Sequence, residues 1–187
     1  MSHSVCASEL NVYFVETPNE RIGYVDQVFF NEQTWEIPAF RLSTQHEFFK
    51  RHLTIPHSMV DRIDLSSRRI FLNQDIHQSK DRLEHPPTLD FVHSIHDLTK
   101  FEIHTPERSF GKVEDLLFDR ETWKIEHLVI KTHKFIGGKH ILISPEQVQK
   151  LSWEESQLFV SLHESEVLNS PEFTYADPAF QKAHFFG

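Results

Sequence analysis

The sequence of 187 residues contains only one cysteine, Cys6, and this excludes an intrachain disulfide. Disulfides are typical of oxidising compartments and are rare in the reducing cytosol. We therefore expect a cytoplasmic protein. No feature of the sequence around Cys6 indicates an activated thiol, so we assign it no chemistry.

Long apolar runs and long basic runs are also absent. No stretch reaches the roughly 18 apolar residues of a membrane-spanning helix, and the first residues lack the basic and apolar regions of a secretory signal. No basic run exceeds two residues, the pairs being Lys50-Arg51 and Arg68-Arg69, and the formal net charge is −9. Nucleic acids and anionic membranes attract basic surfaces, so both are disfavoured as partners.

Glycine is scarce and phenylalanine is abundant. The chain has 5 glycines and 17 phenylalanines, and 39% of its residues are apolar. Aromatic residues favour strands and bury a large apolar area. This composition predicts a packed, mainly β protein.

An internal repeat organises the chain. Residues 22–37 resemble residues 110–125 at a constant offset of 88 positions, which pairs Gly23 with Gly111 and Trp35 with Trp123. The offset continues without a gap as far as Phe71. A repeat of this length has the size of a small domain, not of a solenoid unit. We predict a first unit over 8–83, a linker over 84–93 with two prolines, a second unit over 94–171 and an aromatic tail over 172–187.

Each predicted unit consists of short strands. Strands are expected over 22–30 and 110–118, joined to the next strand by turns in which Asn31 or Asp119 caps the backbone. Further strands are expected over 52–55 and 140–143, and hairpins over 60–73 and 148–162. The apolar alternation changes phase near Gly23 and Gly111, which predicts a β-bulge in each unit. A short helix is expected over 164–169.

The second copy resembles the PRC-barrel family. The resemblance is carried by FGKVEDLLFDRETWKIEHLVI at 110–130, IGGKHILISP at 136–145, LSWEES at 151–156 and NSPEF at 169–173. It covers 94–173 well and 8–83 more weakly. The resemblance implies an all-β chain of two tandem PRC-type barrels, with short helical turns, derived by duplication. Members include the cytoplasmic domain of the photosynthetic reaction-centre H subunit and the C-terminal domain of RimM ribosome-maturation proteins.

Motifs for catalysis or metal binding are absent from the sequence. No nucleophile motif or phosphate-cradling glycine loop is present, so we expect no enzyme and no cofactor. The 14 histidines include His93 and His96, but a zinc site requires three or four converging ligands, so we assign no metal. His52 and His140 share a repeat position, which favours a role in the fold, such as a bond to a backbone carbonyl. Asp26 and Glu114 also correspond, and we expect them to face solvent or bond loop backbone.

Aromatic residues without an obvious core role are the candidate contacts for a partner. They are Phe48, Phe49, Phe180, Phe185 and Phe186. The leading hypothesis is a non-enzymatic protein-binding adaptor, with a homodimer as one form of partnership. One alternative is an RNA or ribosome-assembly role, which the resemblance to RimM implies. The other is a small-ligand or metal binder that uses a cleft between the barrels.

Overall fold

A computed structural model describes residues 4–44, 52–84, 90–134, 137–170 and 172–175. The strands are β1 Ser4–Cys6, β2 Phe14–Glu16, β3 Arg21–Asn31, β4 Ala39–Ser43, β5 His52–Pro56, β6 Val60–Asp64, β7 Arg69–Leu72, β8 Val92–Ser94, β9 Glu102–His104, β10 Ser109–Asp119, β11 Ile125–Thr132, β12 His140–Ile143, β13 Val148–Ser152 and β14 Gln157–Val160. The α-helices are α1 Lys80–Glu84, α2 Ile95–Leu98 and α3 Glu164–Leu168. The mainly β class predicted from the sequence is confirmed.

The strands form two sheets of seven. One has the order β5-β4-β3-β2-β7-β6 with β8 on β3, and the other has the order β12-β11-β10-β9-β14-β13 with β1 on β10. β2 pairs with β7, and β9 with β14, in parallel; the other pairs for which the register is described are antiparallel. Among the described residues no pairing joins β5 to β6 or β12 to β13, so both sheets are open there.

The strand registers keep the offset of 88 found in the sequence. β2 and β9 start 88 positions apart, as do β3 and β10. Ser4 forms a bridge with Asp119, and Val92 forms a bridge with Asn31. The two bridges are equivalent, because Val92 lies 88 positions after Ser4 and Asp119 lies 88 positions after Asn31. The predicted bulges are confirmed, because the register shifts beside Gly23 and again beside Gly111.

The turns after β3 and β10 are built as predicted. The Asn31 side chain accepts bonds from the N–H groups of Gln33 and Thr34, at 2.9 and 3.0 Å. The Asp119 carboxylate does the same for the residues two and three positions later, both at 2.8 Å. Trp35 and Trp123 follow these turns with φ angles of 52° and 61°. Each ring lies beside the phenylalanine five residues earlier, at 5.9 and 5.6 Å between centroids.

The described residues cluster into two compact units. One comprises those of Met1–Asp97 together with Leu117–Ile125, and the other those of Leu98–Leu116 together with Glu126–Gly187. In the first unit the core contains Phe30, Phe40, Leu42, Ile55 and Ile70, and in the second it contains Phe101, Ile103, Phe110, Ile130 and Leu158.

Several short elements have no counterpart in the sequence prediction. The strands β1, β2, β8 and β9 have three residues each, and such short segments carry too little periodicity to be recognised. Residues 92 and 93, which we placed in the linker, begin β8. The strands expected over 22–30, 110–118, 52–55 and 140–143, both later hairpins, and the helix near 164 are confirmed.

Candidate functional site

Three large apolar side chains are exposed together on the β2–β3 surface of the first unit. Val12, Phe14 and Tyr24 have exposed fractions of 62%, 42% and 41%. Phe14 and Tyr24 are direct partners in the antiparallel register. The Val12 N–H donates to the carbonyl of Val25, which follows Tyr24. We call Val12, Phe14 and Tyr24 the apolar patch.

The backbone at the apolar patch is held by neighbouring strands. The N–H of Phe14 donates to the Arg68 carbonyl at 3.1 Å, which aligns β2 beside β7. Val12 adopts a φ of 71°. A β-branched residue in this left-handed region is strained, and such strain concentrates at functional positions. The fold thus keeps an exposed valine in an unfavourable conformation at the edge of this patch.

Arginine residues lie next to the apolar patch. The Arg21 guanidinium lies 4.2 Å from the centre of the Phe14 ring, a cation–π geometry. Arg21 also donates to Glu16 at 3.3 Å, and Arg69 donates to the other oxygen of this carboxylate at 3.4 Å. Arg68 is exposed and precedes Arg69. We call Arg21, Arg68 and Arg69 the arginine rim.

The equivalent surface of the second unit is charged. The positions 88 residues after Val12, Phe14 and Tyr24 hold Lys100, Glu102 and Lys112. There, Lys112 and Glu102 form an ion pair across the same two strands at 3.9 Å. These strands can therefore be built with charged side chains at these positions. The fold does not require apolar groups there, so the exposed apolar patch needs another explanation.

The apolar patch is not among the partner contacts that the sequence predicts. Those contacts are Phe48, Phe49, Phe180, Phe185 and Phe186, and all five lie outside the described residues. The missed signal was present in the repeat itself, because three apolar residues in one copy correspond to two lysines and a glutamate in the other. Comparing the copies for differences, and not only for matches, would have found it.

The histidines at the shared repeat position lie at ion-pair distance from acidic side chains. The His52 Nδ1 atom lies 3.4 Å from Asp26, which also receives two bonds from Arg41. His140 pairs with Glu114. These pairs differ from the bond to a backbone carbonyl, which was the predicted example of a role in the fold. The expected role for Asp26 and Glu114 is wrong, because both carboxylates are largely buried and pair with cationic side chains.

No cluster of three or more metal-ligating side chains occurs in the described part of the chain. His93 lies 3.6 Å from Glu32 and beside the Phe30 ring.

None of the helices that the structure describes is long and apolar enough to cross a membrane.

The first unit also has an open cleft of about 410 Å³ beside the edge strand β6. Its lining carries both signs of charge, with Asp61 and Glu121 opposing Arg62 and Arg120. Trp123 also lines the cleft and is stacked against His57, at 5.4 Å between ring centroids. Only 6% of the tryptophan is exposed, so the cleft offers little apolar surface to a ligand.

Comparison with known proteins assigns no function to these surfaces, so their geometry is the evidence for what they do. No protein-family model matches the chain, and no curated protein matches it. The apolar patch is the feature that the fold itself does not explain.

Proposed function

We propose that this protein is a non-enzymatic protein-binding adaptor that docks a partner protein on the apolar patch. The observation that carries the proposal is the exposure of Val12, Phe14 and Tyr24 at positions where the second unit has charged residues. Exposed contiguous apolar groups with a polar border are typical of protein contact surfaces. Aromatic residues and arginine are the groups enriched there.

The wider setting of the proposal comes from the sequence. We propose that the chain contains two PRC-type barrels that arose by duplication and acts in the cytoplasm. The repeated registers, bulges and capped turns support the duplication. The single cysteine supports a reducing compartment. Under duplication, a patch that occurs in one copy only means that the two copies diverged at this surface, by gain in the first or by loss in the second.

The test is a comparison of three purified full-length proteins as baits. V12K/F14E/Y24K gives the first unit the residues of the second and removes the apolar patch. K100E/E102K/K112E makes the same number of changes at the equivalent positions and is the matched control. We expect wild type and the control to retain one protein from an extract of the source cells, and the patch variant to lose it.

The retained protein is then purified and its affinity for all three baits is measured by calorimetry. Loss of about 2–4 kcal/mol of binding free energy is expected for the patch variant, as for the centre of an interface. Equal binding to all three baits would contradict the proposal. Unchanged unfolding midpoints in urea establish that the variants are folded.

RNA binding is the second candidate, because exposed aromatic rings beside arginines also stack on unpaired bases. The net charge of −9 opposes it. The assay is anisotropy of a labelled 12-nucleotide oligo(U) at low salt. Tight binding that falls steeply with salt and requires Phe14 and Tyr24 would favour the RNA role over the protein-binding role.

A further inference from the structure

The arginine rim and the apolar patch occur together in one unit only. The positions 88 residues after Arg21, Arg68 and Arg69 hold Ser109, Ser156 and Gln157. At these positions the second unit therefore lacks both the apolar groups and the three arginines, and its own positive charges, Lys100 and Lys112, stand at the positions of Val12 and Tyr24. Two features that occur together at one surface, and that are both absent from its counterpart, point to one shared purpose.

The arginine rim retains positive charge that its own neighbours do not cancel. Glu16 faces both Arg21 and Arg69, so one carboxylate serves two guanidinium groups. Asp64, opposite Arg69 in the register, uses its carboxylate in the turn, where it accepts bonds from the N–H groups of Ser66 and Ser67.

The Asp64 carboxylate stays charged over the whole physiological range, because hydrogen bonds from Ser66 and Ser67 lower its pKa to about 2. The three arginines of the rim thus have two neighbouring carboxylates, those of Glu16 and Asp64. The side chain of Arg68 makes no ion pair with any residue in the described ranges. In a chain of net charge −9, a local positive excess beside exposed aromatic rings is a feature of this surface and not of the protein as a whole.

We infer that the partner docks through a segment in which large apolar residues are bordered by aspartate or glutamate. This inference rests on the proposed function and specifies the chemistry of the partner. The apolar side chains of the segment would cover Val12, Phe14 and Tyr24, and its carboxylates would meet the guanidinium groups of the rim. Arginine is suited to this role because its planar donors match the geometry of a carboxylate.

A protein segment fits this surface better than a nucleic acid does. Phosphates would also meet the arginine rim, and bases would stack on Phe14 and Tyr24. Val12, however, is the most exposed of the three apolar residues and offers no stacking face. An aliphatic group at this point favours an aliphatic or aromatic side chain as its neighbour.

The experiment selects peptides from a random 12-residue library displayed on phage, with the full-length protein as bait. The enriched peptides are synthesised with a fluorescent label, together with versions in which Asp and Glu are changed to Asn and Gln. Affinities are measured by anisotropy for wild type, V12K/F14E/Y24K and R21S/R68S/R69Q. The last variant gives the rim the residues of the second unit, and K100E/E102K/K112E is again the control.

We expect enriched peptides to combine Phe, Leu or Trp with Asp or Glu. Changing the acids to amides should weaken binding to wild type about tenfold, since exposed ion pairs are individually weak and several are lost together. The same tenfold loss should appear for R21S/R68S/R69Q, and the amide peptides should not distinguish this variant from wild type. The effects should shrink at 0.5 M salt.

The outcomes separate this inference from the proposed function. Peptides that need the apolar patch but show no preference for acids, and no response to the arginine variant, would overturn the inference and leave the docking function standing. Absence of any peptide that depends on the patch would count against both. Displacement of the peptides by 12-nucleotide oligo(U) would overturn the inference in favour of a nucleic acid.

The single variant R68S separates a loss of peptide recognition from a loss of stability, because Arg68 forms no ion pair that stabilises the described structure. It should lose part of the acid preference while its urea midpoint stays that of wild type. An R68S protein that binds acidic and amide peptides with the wild-type ratio would contradict a role for this arginine.

Discussion

At the scale of single residues, a hydrogen-bonded ion pair joins two segments of the second unit. The Nδ1 atom of His163 lies 2.6 Å from Glu107, and the two residues are 56 positions apart. The bond from His163, assisted by Thr105, lowers the pKa of Glu107 to about 2. The same bond and the charge of Glu107 raise the pKa of His163 above its ordinary value.

These opposite shifts predict a window of pH in which the pair stabilises the fold. The glutamate's contribution is complete above pH 4.5 and is lost as the pH falls towards 2. The histidine's contribution is complete below about pH 6.5 and is lost as the pH rises through its raised pKa. The difference in melting temperature between wild type and E107Q should therefore be largest between about pH 4.5 and 6.5.

The control for this pH series is E154Q, which removes an exposed carboxylate in the turn after β13. Its melting temperature should differ from wild type by an amount that shows no maximum in this window. If the E107Q difference grew steadily from pH 5 to pH 9, the ion pair would not be the cause.

At the scale of elements, the turn after a strand decides where the next strand begins. Asn31 and Asp119 hold equivalent turns through two backbone N–H groups each. These bonds are local, so they do not depend on the rest of the fold. Such turns set the register of a hairpin, and a shift by one residue would reverse every side chain that follows.

Replacing the turn acceptor should therefore destabilise the protein in proportion to the lost bonds. D119A removes the acceptor for the N–H groups of Glu121 and Thr122 and should cost about 1 kcal/mol of the free energy of unfolding. D119N keeps an acceptor oxygen and should cost clearly less. Urea denaturation measures both, and equal losses for the two variants would contradict this account of the turn.

At the scale of the whole molecule, the first unit is discontinuous in sequence. It consists of residues up to Asp97 and the segment Leu117–Ile125. In this segment the Trp123 ring stacks on the His57 ring, and the Trp123 carbonyl accepts a hydrogen bond of 2.9 Å from the Ile37 N–H. The Ile125 N–H donates to the Trp35 carbonyl at 2.8 Å. These contacts join the segment to the rest of the first unit.

Two fragments test this organisation. Residues 98–187 contain every residue of the second unit, whereas residues 1–97 lack a part of the first. The fragment 98–187 should keep a cooperative thermal transition in circular dichroism. The fragment 1–97 should lose it, because Ile37 loses its hydrogen bond to the Trp123 carbonyl and His57 loses its ring stack with Trp123. A cooperative transition for 1–97 at the temperature of the full chain would contradict the assignment of 117–125 to this unit.

The sequence by itself determined the features that local chemistry controls. Strand alternation, the capping residues Asn31 and Asp119, and the phase changes at Gly23 and Gly111 are properties of neighbouring residues, and each was confirmed. The need for glycine is explained only by the structure. A side chain at Gly111 would collide with the backbone of Lys131, which lies on the adjacent strand.

Only the tertiary structure decided which groups meet across long stretches of chain. Cys6 gave no sign of belonging to a strand, yet it lies in β1 with 2% of its surface exposed. His52 bonds Asp26 instead of a carbonyl, and Phe14 is exposed while its neighbour Tyr13 is buried. A strand of three residues alternates too briefly to show which face is covered, because burial depends on partners that fold onto it from distant positions.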